Sequence, residues 1–302
     1  MSTTPISAAV QERLADLKSQ VEARLEGALA PVADAPEHLR EAMRYALMGG
    51  GKRLRPGLCL TAGRLVGGDD EAIWPGALAL EMLHTYSLVH DDLPAMDDDE
   101  LRRGRPTVHV AFDEATAILA GDALLTLAFE TIALGPAPAE RGIRASAILG
   151  RAAGAVGMVG GQVLDLDGEK GAPTIDHVRR IHAAKTGALL TASVEMGAVL
   201  GGANEAQQDA LRRYGAAMGL AFQIVDDCLD ETASSAELGK TAGKDKGQGK
   251  QTWPACVGLE ASMDEARRLI AQAREALEGL EGLDQETRML QDLALYIVER
   301  RA

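Results

Sequence analysis

The sequence predicts an all-α protein, a single helical bundle domain spanning residues 1–302. Apolar residues recur at i, i+3, i+4 spacing through nine segments, the pattern of helices with one buried face. No run of four or more residues alternates convincingly between polar and apolar, so no sheet is expected. A 46% hydrophobic content rules out disorder and allows a sizeable core. Only 3% of residues are aromatic, so Ala, Leu, Val and Met must fill that core, and small side chains let helices approach closely.

In chain order the periodic segments are 7–30, 37–48, 71–92, 112–134, 141–160, 175–200, 205–231, 262–280 and 284–301. In the last, Leu290, Leu293, Ala294 and Ile297 form the stripe expected to be buried. Breaks fall at Pro31 and Pro36, Gly67-Gly68, Pro136 and Pro138, Gly171 with Pro173, and Gly201-Gly202, where backbone chemistry ends helices. The polar stretch 231–250 is too rich in lysine to read as a plain linker.

Composition excludes several classes of function. A net charge of −14 argues against nucleic acid or an anionic membrane as the main partner, since both are met with basic patches. The longest run without Asp, Glu, Lys or Arg is the thirteen residues from Ala152 to Leu164, whereas a spanning helix needs about 20. The N-terminus lacks the apolar core of a secretory signal. Cys59, Cys228 and Cys256 have no metal-ligand spacing and read as reduced thiols, so a cytoplasmic location is expected.

Two acidic segments point to chemistry. The first contains His90, Asp91, Asp92 and Pro94, then Asp97, Asp98, Asp99 and Glu100: six carboxylates within residues 91–100. Pro94 ends the preceding helix near Asp92, which places Asp91 and Asp92 on its last turn. A helix C-terminus carries partial negative charge, so acids lose stability there and a hard divalent cation is the natural compensation. The second segment carries Gln223, Asp226, Asp227 and Asp230 at i, i+3, i+4, i+7, a spacing that puts all four on one face of an apolar helix. Two such clusters read as opposing walls of one metal site.

Cations for phosphate accompany them. Gly49-Gly50-Gly51 lets backbone N–H groups approach an anion, and Lys52, Arg53 and Arg55 supply charge. It is not a Walker A loop, because Ala46 stands at the first glycine position and Arg53 follows the lysine. Arg102, Arg103, Lys185 and the lysines of 239–250, including Lys240, add donors, and the last group suits a lid.

The chain resembles the short-chain trans-prenyl diphosphate synthases, with the bacterial farnesyl type nearest. The motifs that carry this are GGGKRLRP (49–56), HTYSLVHDDLPAMDDDELRRGRPTVH (84–109), LAGDALLTLAFE (119–130), GGQVLDL (160–166), KTG (185–187), FQIVDDCLD (222–230) and ELGKTAGKD (237–245), in that order. Two positions depart from the family pattern: Val108 stands where Asn is usual, and Cys228 begins a less apolar stretch.

The resemblance implies the isoprenoid synthase fold, helices around a central apolar cavity, and head-to-tail condensation of isopentenyl diphosphate with an allylic diphosphate. It implies Mg2+ held by Asp91, Asp92 and Asp97 from one wall and by Asp226 and Asp230 from the other, three ions per site with diphosphate bound. Arg102, Lys185 and Lys240 would hold the allylic diphosphate, and Lys52, Arg55, His84 and Arg103 the isopentenyl diphosphate. Thr186, Gln223 and the Lys185 carbonyl would face the allylic carbocation. By resemblance, an aromatic at Tyr86, beside Ser87, stops elongation near fifteen carbons, so (2E,6E)-farnesyl diphosphate is the expected product, with geranyl or geranylgeranyl diphosphate as alternatives. A homodimer is expected.

Competing readings fit less well. A non-catalytic partner subunit would have lost carboxylates from the clusters. A di-metal redox bundle would need paired Glu-x-x-His motifs, and only Glu81 with His84 lies beside the first cluster. A terpene cyclase has no use for a second diphosphate site at Gly49–Arg55.

Overall fold

The computed structural model describes residues 6–168, 174–232, 251–280, 282 and 284–299. Its helices are α1 (Ile6–Gly27), α2 (Glu37–Leu47), α3 (Leu54–Leu65), α4 (Asp70–Asp91), α5 (Val108–Ala111), α6 (Glu114–Ala133) and α7 (Ala139–Ala153). There follow α8 (Met158–Gly168), α9 (Ile175–Ile181), α10 (Ala188–Gly201), α11 (Glu205–Thr232), α12 (Trp253–Val257), α13 (Leu259–Ala276) and α14 (Asp284–Glu299). One core runs through them, from Val10 on α1 to Ile297 on α14. The expected stripe of Leu290, Leu293, Ala294 and Ile297 is buried.

Several expectations from the sequence need correction. The segment 54–65 showed no helical stripe, yet it forms α3. Every residue from Pro56 to Gly63 is buried there, so the helix is apolar on all sides and displays no period to read. Pro56 is tolerated because it lies in the first turn. The span 112–134 starts instead at Glu114, because the Asp113 side chain accepts the Thr116 amide proton and caps α6. The span 141–160 breaks after Ala153, and α8 starts at Met158. The span 175–200 is interrupted by a π-helical turn, His182–Gly187. A minimal antiparallel hairpin, β1 (Leu101–Arg102) with β2 (Arg105–Pro106), stands where no sheet was expected.

Helices long and apolar enough to cross a membrane are also present: α6, and the stretch Ala139–Gly168. Isolated charges such as Asp122 shorten the uncharged runs, yet the mean hydropathy of α6 remains 1.5. Both helices bury one face in the bundle, α6 on α4 and α7 on α10.

Close packing of α3 on α10 sets the centre of the bundle. A Cβ at Gly197 would lie 2.0 Å from the Cys59 carbonyl oxygen, so the two backbones touch where a side chain would part them. Gly197→Ala is expected to destabilise the protein by about 1–3 kcal/mol, read as a melting-temperature loss of about 2–4 °C per kcal/mol. An unchanged melting temperature would show that α3 and α10 can separate freely.

Candidate active site

The first acidic segment closes α4. Asp91 is its last residue and Asp92 caps it. The chain then turns back, with the Asp97 amide donating to the Asp91 carbonyl at 2.8 Å and the Asp99 amide to that of Asp92 at 3.2 Å. Burial pushes the Asp91 carboxyl up to about 6; Lys185 pulls it down, and Asp97 pushes it up again. Asp92 is buried and its Oδ1 accepts from Arg102 Nε at 2.7 Å and lies 2.6 Å from Nη2, and Asp99 lies 3.7 Å from the same guanidinium. Arg102 is therefore held in place from the acidic segment itself.

Loop 49–53 faces this segment. Gly50, Gly51 and Arg53 all have positive φ, and so do Asp98, Arg103 and Gly104. Arg53, Asp98 and Arg103 are the non-glycine residues in that region among the described residues, a concentration of backbone strain typical of binding loops. Arg103 Nη1 donates to the Gly50 carbonyl, which ties the hairpin to the loop. Gly51, at φ +127, holds a backbone conformation that residues with a side chain rarely adopt, and it packs against the Arg103 guanidinium. Arg53 turns inward. It is buried, with Nη1 2.5 Å from Glu81 Oε1 and Nη2 donating to the Leu47 carbonyl at 2.9 Å. That pair anchors the loop, so Lys52 is left exposed on its outer side.

Arg55 is pulled down to about 10 by burial, against the opposing influence of Glu81, with Arg103 lowering it further and Asp226 raising it. Its buried Nε has no hydrogen-bond partner among the described residues. Burial, then Arg55, Arg103, Arg102 and Arg53 in turn, drive the His84 imidazole well below its ordinary range, so the ring is neutral near pH 7. Ser87 Oγ donates to the His84 carbonyl at 2.8 Å. Tyr86 is buried one turn above His90, ring edge against ring face with centroids 5.7 Å apart.

The second wall is α11 with the π-helical turn. Lys185 Nζ lies 2.6 Å from Asp165 Oδ2 on α8, a partner that sequence reasoning missed although GGQVLDL was noted. Thr186 is half-buried on the same turn. Asp226 is half-buried and Asp230 buried. The expected four-residue face divides, however. Asp227 turns away into the protein, where its Oδ2 accepts the Trp253 amide proton at 2.8 Å and lies 3.1 Å from His182 Nε2. Its Oδ1 meets Gln223 Nε2 at 3.4 Å. Cys228 is buried. Lys240 and the lysine-rich lid 239–250 lie outside the described residues.

Charge couples the two walls to shared cations: Lys185 pulls the Asp91 carboxyl down, and Asp226 pushes the Arg55 guanidinium up. Residues 36–285 match the polyprenyl synthetase family. The chain belongs to that family. It is 48% identical over 267 residues to a putative geranylgeranyl pyrophosphate synthase 8, chloroplastic, of Arabidopsis thaliana, covering 86% of this chain and 74% of that protein. It superposes on an FPP/GFPP synthase of Zymomonas mobilis at 37% identity and TM-score 0.83, covering 96% and 99% of the two chains. A geranylgeranyl pyrophosphate synthetase of Pyrococcus horikoshii gives 34% and 0.86, with the same coverage. The all-α isoprenoid synthase fold is thus the fold of this family member.

The donor chemistry fits Mg2+. Asp91 is a hard oxygen donor whose negative charge is disfavoured by burial until a cation joins it. Among the described residues no three His, Cys, Asp or Glu side chains already form an ion cage. Mg2+ needs none, because it combines one or two carboxylates with substrate phosphates and water.

Two predictions arise from these contacts. Glu81→Ala leaves the Arg53 charge buried without its partner and is expected to cost about 3–5 kcal/mol in denaturant unfolding. A loss below about 1 kcal/mol would assign the pair to the surface class. The second concerns pH. The folded Asp91 binds its proton more tightly than the unfolded chain does, so rising pH through about 6 removes stability. In chelator, Asp91→Asn is therefore expected to melt higher than the parent at pH 8 and equally at pH 4. A parent that melts lower than the variant at both values would contradict the assignment.

Proposed function

We propose that this chain is an Mg2+-dependent prenyltransferase that condenses isopentenyl diphosphate head-to-tail with allylic diphosphates and carries the product to twenty carbons, geranylgeranyl diphosphate. The observation that carries the reaction is a cluster of three guanidiniums, Arg55, Arg102 and Arg103, around a neutral His84, with Asp226 acting on Arg55 and Asp91 and Asp92 acting on Arg102. Asp91, Asp92, Asp97, Asp226 and Asp230 would hold the Mg2+ ions, three with diphosphate bound. As a Lewis acid, Mg2+ neutralises charge developing on a departing diphosphate.

The chain's own residues do the rest. Lys52, Arg55 and Arg103 grip isopentenyl diphosphate, and neutral His84 donates a ring N–H to it without adding a further charge to the cluster. Arg102, steadied by Asp92, and Lys185, steadied by Asp165, receive the allylic diphosphate together with Lys240. Thr186, Gln223 and the Lys185 carbonyl present oxygen dipoles to the allylic cation, and apolar walls keep water from it. The departing diphosphate accepts the proton lost after addition.

Twenty carbons is the length supported by the name of the Arabidopsis relative. A second reading, farnesyl diphosphate, is favoured by Tyr86: its buried ring lies five residues before Asp91, about 7.5 Å down the helix. We further propose a homodimer, joined through the exposed apolar residues Leu119, Val156, Val159 and Val163 of α6, α8 and the turn before α8, and a cytoplasmic location in keeping with three free thiols.

One experiment tests both readings. Purified protein is incubated with isopentenyl and dimethylallyl diphosphates, with Mg2+ or with chelator, and the alcohols are identified after phosphatase treatment. We expect Mg2+-dependent geranylgeraniol. Farnesol as the main product selects the second reading, and Tyr86→Ala must then lengthen it. No prenyl alcohol under any condition rejects the function.

A further inference from the structure

Asp227 belongs to the second aspartate segment but does not face the site. It is buried and engaged on all sides: Trp253 amide at 2.8 Å, His182 Nε2 at 3.1 Å, Gln223 Nε2 at 3.4 Å. His182 is equally buried and stacks on the Trp253 indole, with centroids 5.8 Å apart and planes 22° apart, while Arg179 covers the indole at 5.3 Å. These contacts join three pieces of chain. His182 opens the π-helical turn that carries Lys185 and Thr186, Gln223 lies on α11, and Trp253 opens α12.

We propose that Asp227 is a positioning residue, not a metal ligand, and that through His182 and the Trp253 amide it holds the π-helical turn against α11 so that Lys185, Thr186 and Gln223 share one geometry. The physical need is plain. A π-helical turn is a local departure from the α-helical ladder and persists only where surrounding contacts determine it. The His182 imidazole stands at the start of that turn, and its Nε2 lies 3.1 Å from Asp227 Oδ2 on α11. Asp226, the residue before Asp227, acts instead on the Arg55 guanidinium.

The inference rests on the prenyl-transfer reading, and its test keeps the two apart. Asp227→Asn, His182→Phe and the double variant are compared with the parent in steady-state kinetics at varied Mg2+ and isopentenyl diphosphate. A misplaced turn is expected to lower kcat about 10–100-fold. The KM for isopentenyl diphosphate and the Mg2+ half-saturation stay at parental values. The double variant is expected to be no worse than the poorer single one, within about twofold, because both remove the same link. His182→Gln, whose amide nitrogen can reach Asp227, recovers most of the loss.

A rise of about tenfold or more in Mg2+ half-saturation for Asp227→Asn alone would make Asp227 a metal ligand and overturn the proposal. So would multiplicative losses in the double variant, or parental kcat in His182→Phe. Should His182→Phe not fold, the Mg2+ dependence of the near-isosteric Asp227→Asn decides by itself. Trp253 emission, isolated in a Trp74→Phe background, provides a readout without turnover. It is expected to change in His182→Phe and to return towards the parental spectrum in none but His182-containing protein. If the parent makes no prenyl product yet this signature holds, the function fails while the clamp stands; an emission unaffected at His182 removes the clamp.

Discussion

Repulsion among cations is the constraint on which the site depends. Arg53, Arg55, Arg102 and Arg103 all act on the single imidazole of His84. Guanidiniums so close would splay into solvent unless carboxylates held them, and α4 supplies most of that hold. Glu81 takes Arg53 inside the protein, and Asp92 takes Arg102 at the helix end. The same helix carries His84, Tyr86 and Asp91, so one rigid element sets the spacing of anion-binding, apolar and acidic parts. Such rigidity matters because binding groups serve best when their geometry exists before the ligand arrives.

The structure distinguishes side chains that would meet a ligand from those that hold them. Arg55 has a buried Nε with no hydrogen-bond partner among the described residues, and Asp91 bears a carboxyl that burial has pushed up to about 6. Both are incomplete within the protein. Arg53 and Asp227 lie in the same motifs but are paired inward with Glu81 and His182. Neighbouring residues in one motif thus divide between display and support, and left-handed backbone at Arg53 and Arg103 is part of how the chain achieves it.

Much of this was legible in the sequence, and for local reasons. Helices with one wet face announced themselves by period, as in Leu290, Leu293, Ala294 and Ile297, because solvent selects polar residues opposite. Helix α3 did not, because burial on every side removes that contrast. Asp97 could be brought back beside Asp91 from Pro94 alone. The split of Asp227 from Asp226 could not, since both satisfy the same helical spacing and the difference lies in His182 and Trp253, respectively 45 residues before and 26 after Asp227. Asp165 was hidden for the same reason: its partner Lys185 is 20 residues away on another element.

The sequence by itself determined the helical class, the two acidic segments, the glycine-and-arginine loop and, through their order, the resemblance to a family, because period, capping chemistry and motif spacing are properties of neighbouring residues. Tertiary structure alone decided which motif members pair with one another, where a helix widens into a π-helical turn, and which backbones touch at Gly197. Those depend on groups far apart in the chain, whose burial and charge act on one another only after the helices have packed.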